Sequence, residues 1–91
     1  MALFAAVHNL KPHMSLEDAA KLVYGCLVAA EAPNRWLKYW WSDDTGKMLC
    51  LWDAQDAATV WGILRRAGVP TNDVFAVEEG DPELFRQGME S

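Results

Sequence analysis

Residues 35–42, Arg-Trp-Leu-Lys-Tyr-Trp-Trp-Ser, restrict the fold more than any other segment of the chain. They form a run of strand length, bounded by Pro33-Asn34 before it and by Ser42-Asp43-Asp44-Thr45-Gly46 after it. In an extended strand Trp36, Lys38 and Trp40 share one face, and Leu37, Tyr39 and Trp41 share the other. Both faces are apolar or aromatic, so water suits neither. Each tryptophan left in water forgoes about 150–250 Å² of burial, on the order of 4–6 kcal/mol of gross transfer free energy. A sheet containing this strand needs cover on both sides. A chain of 91 residues is short for that task, which points to a partner.

Size and composition narrow the possibilities further. With 52% hydrophobic and 23% charged residues, the chain reads as one globular domain over residues 1–80, followed by a tail over 81–91. A net charge of −5 and a pI near 4.8 exclude a phosphate-backbone partner, which requires a positive face. The uncharged stretch Leu22–Ala30 falls far short of the roughly 20 apolar residues of a membrane span. The N-terminal residues show no basic leader with a cleavage site, and the expected location is the cytoplasm. Cys26 and Cys50 lack metal-type spacing and read as reduced, buried thiols.

Along the chain, residues 2–10 form a first strand, ended by Lys11-Pro12. Ser15 caps a helix whose apolar positions are Leu16, Ala19, Ala20, Val23, Leu27 and Ala30, with Glu17 and Asp18 in its first turn. The aromatic strand follows, and the Ser42–Gly46 turn leads into a third strand, Lys47–Trp52. Asp53 reads as the cap of a second helix that runs through Ala67, with Gly68 as its left-handed stop and Pro70 beyond. Asp73–Glu79 supplies a fourth strand. The tail has Leu84 and Phe85 as its anchors, suited to a short helical turn or an arm.

The order βαββαβ is the ferredoxin-like, α+β arrangement: a four-stranded antiparallel sheet with both helices on one face. Matching Leu3, Ala5, Val7, Leu49 and Leu51 to the helices leaves Phe4, His8, Trp36, Trp40, Met48, Cys50 and Trp52 on the other face. Two such faces packed about a two-fold axis give a homodimer, a dimeric α+β barrel with a cavity between its sheets. A slip of one residue exchanges the faces and turns Tyr39 and Trp41 towards the cavity.

Several short motifs carry a resemblance over nearly the whole chain. They are Leu3–His8, Lys-Tyr-Trp at 38–40, the turn at 43–46, Leu-Cys-Leu-Trp-Asp-Ala at 49–54 and Arg-Ala-Gly-Val-Pro at 66–70. In these the chain resembles the small ferredoxin-like nickel-binding proteins. The resemblance implies a dimer and a divalent metal, nickel by expectation, held by histidines and oxygen donors in or near the barrel. His8 matches a histidine of that family. Lys38 stands where a second histidine is common, and Trp61, Arg65 and Arg66 occupy helix positions where some branches carry histidines. A borderline metal favours imidazole and thiolate, so a site in this chain would draw on His8, Cys50 and Asp53.

Each candidate has a plain alternative. His8 in an apolar barrel serves as ligand, general base or hydrogen-bond anchor, or is a structural histidine. Lys38 between Trp36 and Trp40 is placed for cation–π contact or for an anionic ligand, or it snorkels to the rim. Cys50 has no basic neighbour in sequence to activate it. Asp53 is a cation ligand or a helix cap. Glu78 and Glu79 complete a carboxylate set with His8 or form a charged rim. His13 reads as a solvated loop residue.

The leading expectation is a homodimeric binding protein for a small ligand or a nickel-type ion, with His8, Trp36, Lys38, Trp40, Cys50 and Trp52 lining an aromatic cavity. A second reading is a dimeric-barrel enzyme, a cyclase, isomerase or cofactor-free oxygenase, with His8 as base and Lys38 or Tyr39 assisting on an aromatic or polyketide-like substrate. A third is an interaction module whose sheet face is filled by its partner.

Overall fold

The computed structural model describes residues 1–90, with the side chain of Glu90 left aside. Its elements are β1 (Ala2–Asn9), α1 (Leu16–Ala29), β2 (Arg35–Ser42), β3 (Lys47–Ala54), α2 (Ala57–Ala67), β4 (Asp73–Ala76) and α3 (Pro82–Glu90). The four strands form one antiparallel sheet in the order β2-β3-β1-β4, the ferredoxin-like topology. Helices α1 and α2 lie against each other and cover one side of it. Among the described residues no helix is long and apolar enough to cross a membrane.

The local signals act as their chemistry requires. Ser15 Oγ accepts from the Asp18 amide at 3.1 Å and caps α1. Gly68, at φ 72°, turns out of α2 in the left-handed conformation, its amide donating back to the Arg65 and Leu64 carbonyls. The cap of α2 is Asp56, and this corrects the expectation for Asp53. Strand β3 runs on through Asp53 to Ala54, and the Asp56 carboxylate takes the Thr59 amide at 2.7 Å and the Thr59 hydroxyl at 2.6 Å. The fourth strand ends at Ala76, although the Val77 amide still bonds the Leu3 carbonyl at 3.0 Å. The tail is helical from Pro82.

The sheet faces are exchanged relative to the sequence expectation. Phe4, Ala6, His8, Met48, Cys50, Trp52 and Ala54 point under the helices and join Val60, Ile63 and Leu64 in the core. Leu3, Ala5, Val7, Leu49 and Leu51, their neighbours in alternation, line the open face. The reason is complementarity of size. Beside Val60, Ile63 and Leu64 the helices offer Ala29, Ala57 and Ala67, and these small residues leave room for Trp52, Met48 and Phe4.

Strand β2 follows neither scheme throughout. Trp36 pairs with Trp52, but the next pairing is Lys38 with Leu51, so Leu37 is an extra residue in a β-bulge. The bulge shifts the alternation by one. Trp36 therefore faces the helices, while Lys38 and Trp40, opposite Leu51 and Leu49, stay on the open face. Tyr39 and Trp41, opposite Cys50 and Met48, point to the helix side. There Trp36 stacks on Trp52 at 5.7 Å and 10° and meets Tyr39 at 5.4 Å.

Candidate functional site

The residues expected to line one cavity are divided between the two sides of the sheet. His8, Trp36, Cys50 and Trp52 lie beneath the helices, Lys38 and Trp40 on the open face. Asp53, opposite Leu3 and Arg35, is also on the open face, so it does not join His8 and Cys50 in a donor set.

His8 is 0% exposed. Its Nδ1 lies 2.9 Å from the Pro70 carbonyl and 3.2 Å from Thr71 Oγ1, whose hydroxyl donates to the Val69 carbonyl at 3.0 Å. A carbonyl only accepts, so Nδ1 carries the hydrogen and Nε2 keeps a bare lone pair. Nε2 is buried without a hydrogen-bond partner, as is the indole nitrogen of Trp52, while that of Trp36 has the Cys50 sulfur beside it. Burial pulls the His8 pKa below 6.5, and the bond to Pro70 opposes this without reversing it. His8 thus ties β1 to the α2–β4 loop as a neutral imidazole.

The thiols are equally withdrawn. Burial pushes Cys26 up to about 11. Cys50 is pushed up to about 12 by burial and by the nearby Cys26, with the Trp36 indole opposing. Neither supplies a thiolate near neutral pH.

On the helix side Leu10, Met14, Leu22, Val23, Tyr39 and Trp41 line an apolar cleft of about 70 Å³. Ligand pockets typically run to ~300–1,000 Å³, so the cleft is too small for a polyketide-like substrate.

A different set of polar side chains does converge, where the loop after β1 meets the β2–β3 turn. The Leu10 amide donates to the Gly46 carbonyl at 2.7 Å, and the His13 amide donates to the Asp43 carbonyl at 2.9 Å. Gly46, at φ 74°, lies so close to the loop that a Cβ there would run into the Leu10 carbonyl and the Pro12 nitrogen. His13 itself is left-handed at φ 55°. The closure brings His13 Nδ1 to 3.0 Å from Asp43 Oδ2, and the Trp41 indole donates to Asp43 Oδ1 at 3.3 Å. One donor atom from each of His13, Asp43 and Asp44 lies within 4.8 Å of the others, the one such group of metal-ligating residue types among the described residues. All three are exposed.

Sequence reasoning missed this cluster because His13 and Asp43 are 30 positions apart. The signal available was Gly46 in a tight turn, without what the turn packs against.

The fold defines the class: a ferredoxin-like α+β domain with one covered and one open sheet face. The profile described as nickel responsive protein SCO4226-like matches residues 4–77, and the chain belongs to that family. Among solved structures, SCO4226 from Streptomyces coelicolor A3(2) is similar in fold, with a TM-score of 0.77 at 20% identity over 88% of this chain and 100% of that one. No curated protein matches the chain. Helix α3 lies wholly outside the family profile.

Proposed function

We propose that the protein is a homodimeric, cytoplasmic binder of a divalent metal ion of the nickel type, with His13, Asp43 and Asp44 as its donors. One observation carries the reading: three donor atoms within 4.8 Å of one another, one an imidazole nitrogen and the others carboxylate oxygens, in a chain of a nickel-responsive family. The set fits the ion. Imidazole suits nickel, two carboxylates offset its charge, and exposure leaves the remaining positions to water. An ion here would replace the hydrogen bond between His13 and Asp43. His8 and Cys50 suit it less, since a thiol at about 12 gives up its proton reluctantly and Asp53 is on the opposite face.

The homodimer reading is supported by the open face. Trp40 is 52% exposed there, beside Leu49, with Phe75 exposed on the opposite border of the same face, and a second copy is the simplest cover for such a surface. Free, buried Cys26 and Cys50 agree with a reducing compartment.

The Trp41–Asp43 hydrogen bond provides the assay, because an ion bound at Asp43 perturbs the indole. Nickel titration should quench tryptophan fluorescence with a calorimetric stoichiometry of one ion per chain. His13→Ala and Asp43→Asn should each weaken binding at least about tenfold, while His8→Gln leaves it unchanged. Unaltered nickel affinity in His13→Ala overturns the site.

A further inference from the structure

We infer that α3 is a docking arm that seats on the open sheet face of a second copy, along the border formed by β2; this rests on the homodimer reading above. The helix has nine residues, and an isolated helix shorter than ~12–15 is marginal in water, so its stability must come from a surface it covers. It does not cover its own chain. Leu84, Phe85 and Met89 are 69%, 75% and 85% exposed, on a helix whose other positions include Glu83, Arg86 and Gln87. The arm lies beyond the residues matched by the family profile, which marks it as an addition to the common domain.

Topology and charge select the surface. With the order β2-β3-β1-β4, stacking two open faces about an axis along the strands sets the β4 border of one copy over the β2 border of the other. Strand β4 is antiparallel to β1, and β2 is parallel to it, so the exit of β4 meets the beginning of the partner's β2. The exiting segment is acidic, with Glu78, Glu79, Asp81 and Glu83 against Arg86. The beginning of β2 presents Arg35 and Lys38; Asp53 of the same chain lies opposite Arg35, and Glu78 and Glu79 line a cleft with Lys38, but among the described residues neither base has a carboxylate within ion-pair distance. Lys38 instead sits 5.9 Å from the Trp40 ring. The outer side of α1 also exposes Leu16, Tyr24, Leu27 and Val28, but Glu17 and Asp18 border it and Lys21 is already paired with Glu17. Helix α1 offers no unpaired base, whereas the beginning of β2 offers two.

The areas agree with a stable assembly. Leu84, Phe85 and Met89 offer on the order of 400 Å², about half of one partner's share of a standard interface. Leu3, Val7, Trp40, Leu49, Leu51 and Phe75 on the open face supply the remainder.

Sedimentation equilibrium of the full chain and of Phe85→Asp tests the arm. Phe85 is exposed in the single chain, so the substitution does not impede folding. The dimer dissociation constant should rise about a hundredfold, two arms being lost per dimer. Mixing Leu84→Cys with Lys38→Cys under mild oxidation should give a disulfide-linked dimer that neither variant forms alone, the native thiols being buried. A dimer of unchanged strength in Phe85→Asp overturns the arm and leaves the homodimer standing. Covalent pairing of Leu84→Cys with itself overturns the assigned surface. A parent chain that is monomeric at tens of micromolar removes the homodimer reading, and the arm with it.

Discussion

Lowering the pH should weaken the fold through His8 in particular. The imidazole is 0% exposed, its Nδ1–H is taken by the Pro70 carbonyl, and its Nε2 has no polar neighbour within bonding distance. A second proton would place a charge in the core with no acceptor, which is why the pKa falls below 6.5 on folding. The unfolded chain titrates near 6.5 and binds that proton readily. Between 6.5 and the lower folded-state pKa, the unfolded state carries more protons, so stability falls as pH falls; above 6.5 both states are neutral and this contribution is flat. One differential proton gives a slope of at most ~1.4 kcal/mol per pH unit, so going from about pH 7.5 to about pH 5.5 costs up to ~1.4 kcal/mol. With a urea m-value of ~1–2 kcal/mol/M, the midpoint should move down by up to roughly 1 M. His8→Gln retains a side-chain donor for Pro70 and has no proton to gain, so the shift should shrink by that amount while other titrating groups continue to act. An equal pH shift in parent and variant, or a parent that gains stability towards about pH 5.5, refutes the neutral, unpartnered imidazole.

Two further outcomes test other parts of the molecule. Gly46→Ala meets both a left-handed backbone and the Leu10 carbonyl; it should cost at least ~1–2 kcal/mol in thermal or urea unfolding, and because it displaces the loop carrying His13 it should also lower nickel affinity. With thiols raised to about 11 and about 12, Cys26 and Cys50 should resist alkylation at about pH 8 in the folded protein and both react in concentrated urea; rapid labelling of the native chain would contradict their burial.

The order of elements was legible because its signals are local. Ser15, the Ser42–Gly46 turn and Gly68 each act on the residues beside them. The choice of face was not local. Leu3-Ala5-Val7 and Phe4-Ala6-His8 are both apolar enough for a core, and the decision lay in the mix of large and small helix residues packed across from them. The bulge at Leu37 left no mark in composition, since a leucine among aromatics looks like any strand residue. Lys38 and Trp40 lie on the open face and Tyr39 and Trp41 on the helix side, as the alternation predicts, but Trp36, expected on the open face with Lys38 and Trp40, lies under the helices because the slip falls between Trp36 and Lys38. Asp53 as a cap failed by three positions: an equally good acceptor, Asp56, follows where the strand has ended. The His13–Asp43–Asp44 cluster depends on a closure between distant segments that no window along the chain contains.

The extra residue at Leu37 also changes how this chain is to be compared with its relatives. Counting along an uninterrupted strand, position 38 lies on the same side as position 36, which here is the helix side. In this chain it lies on the other. In a relative with a regular second strand, a histidine at the place of Lys38 points under the helices where the pairing before position 37 is kept, and to the open face where the pairing after it is kept. Equivalence by position and equivalence in space part at a single leucine, and correspondence in β2 has to be judged by hydrogen-bond partner rather than by residue count.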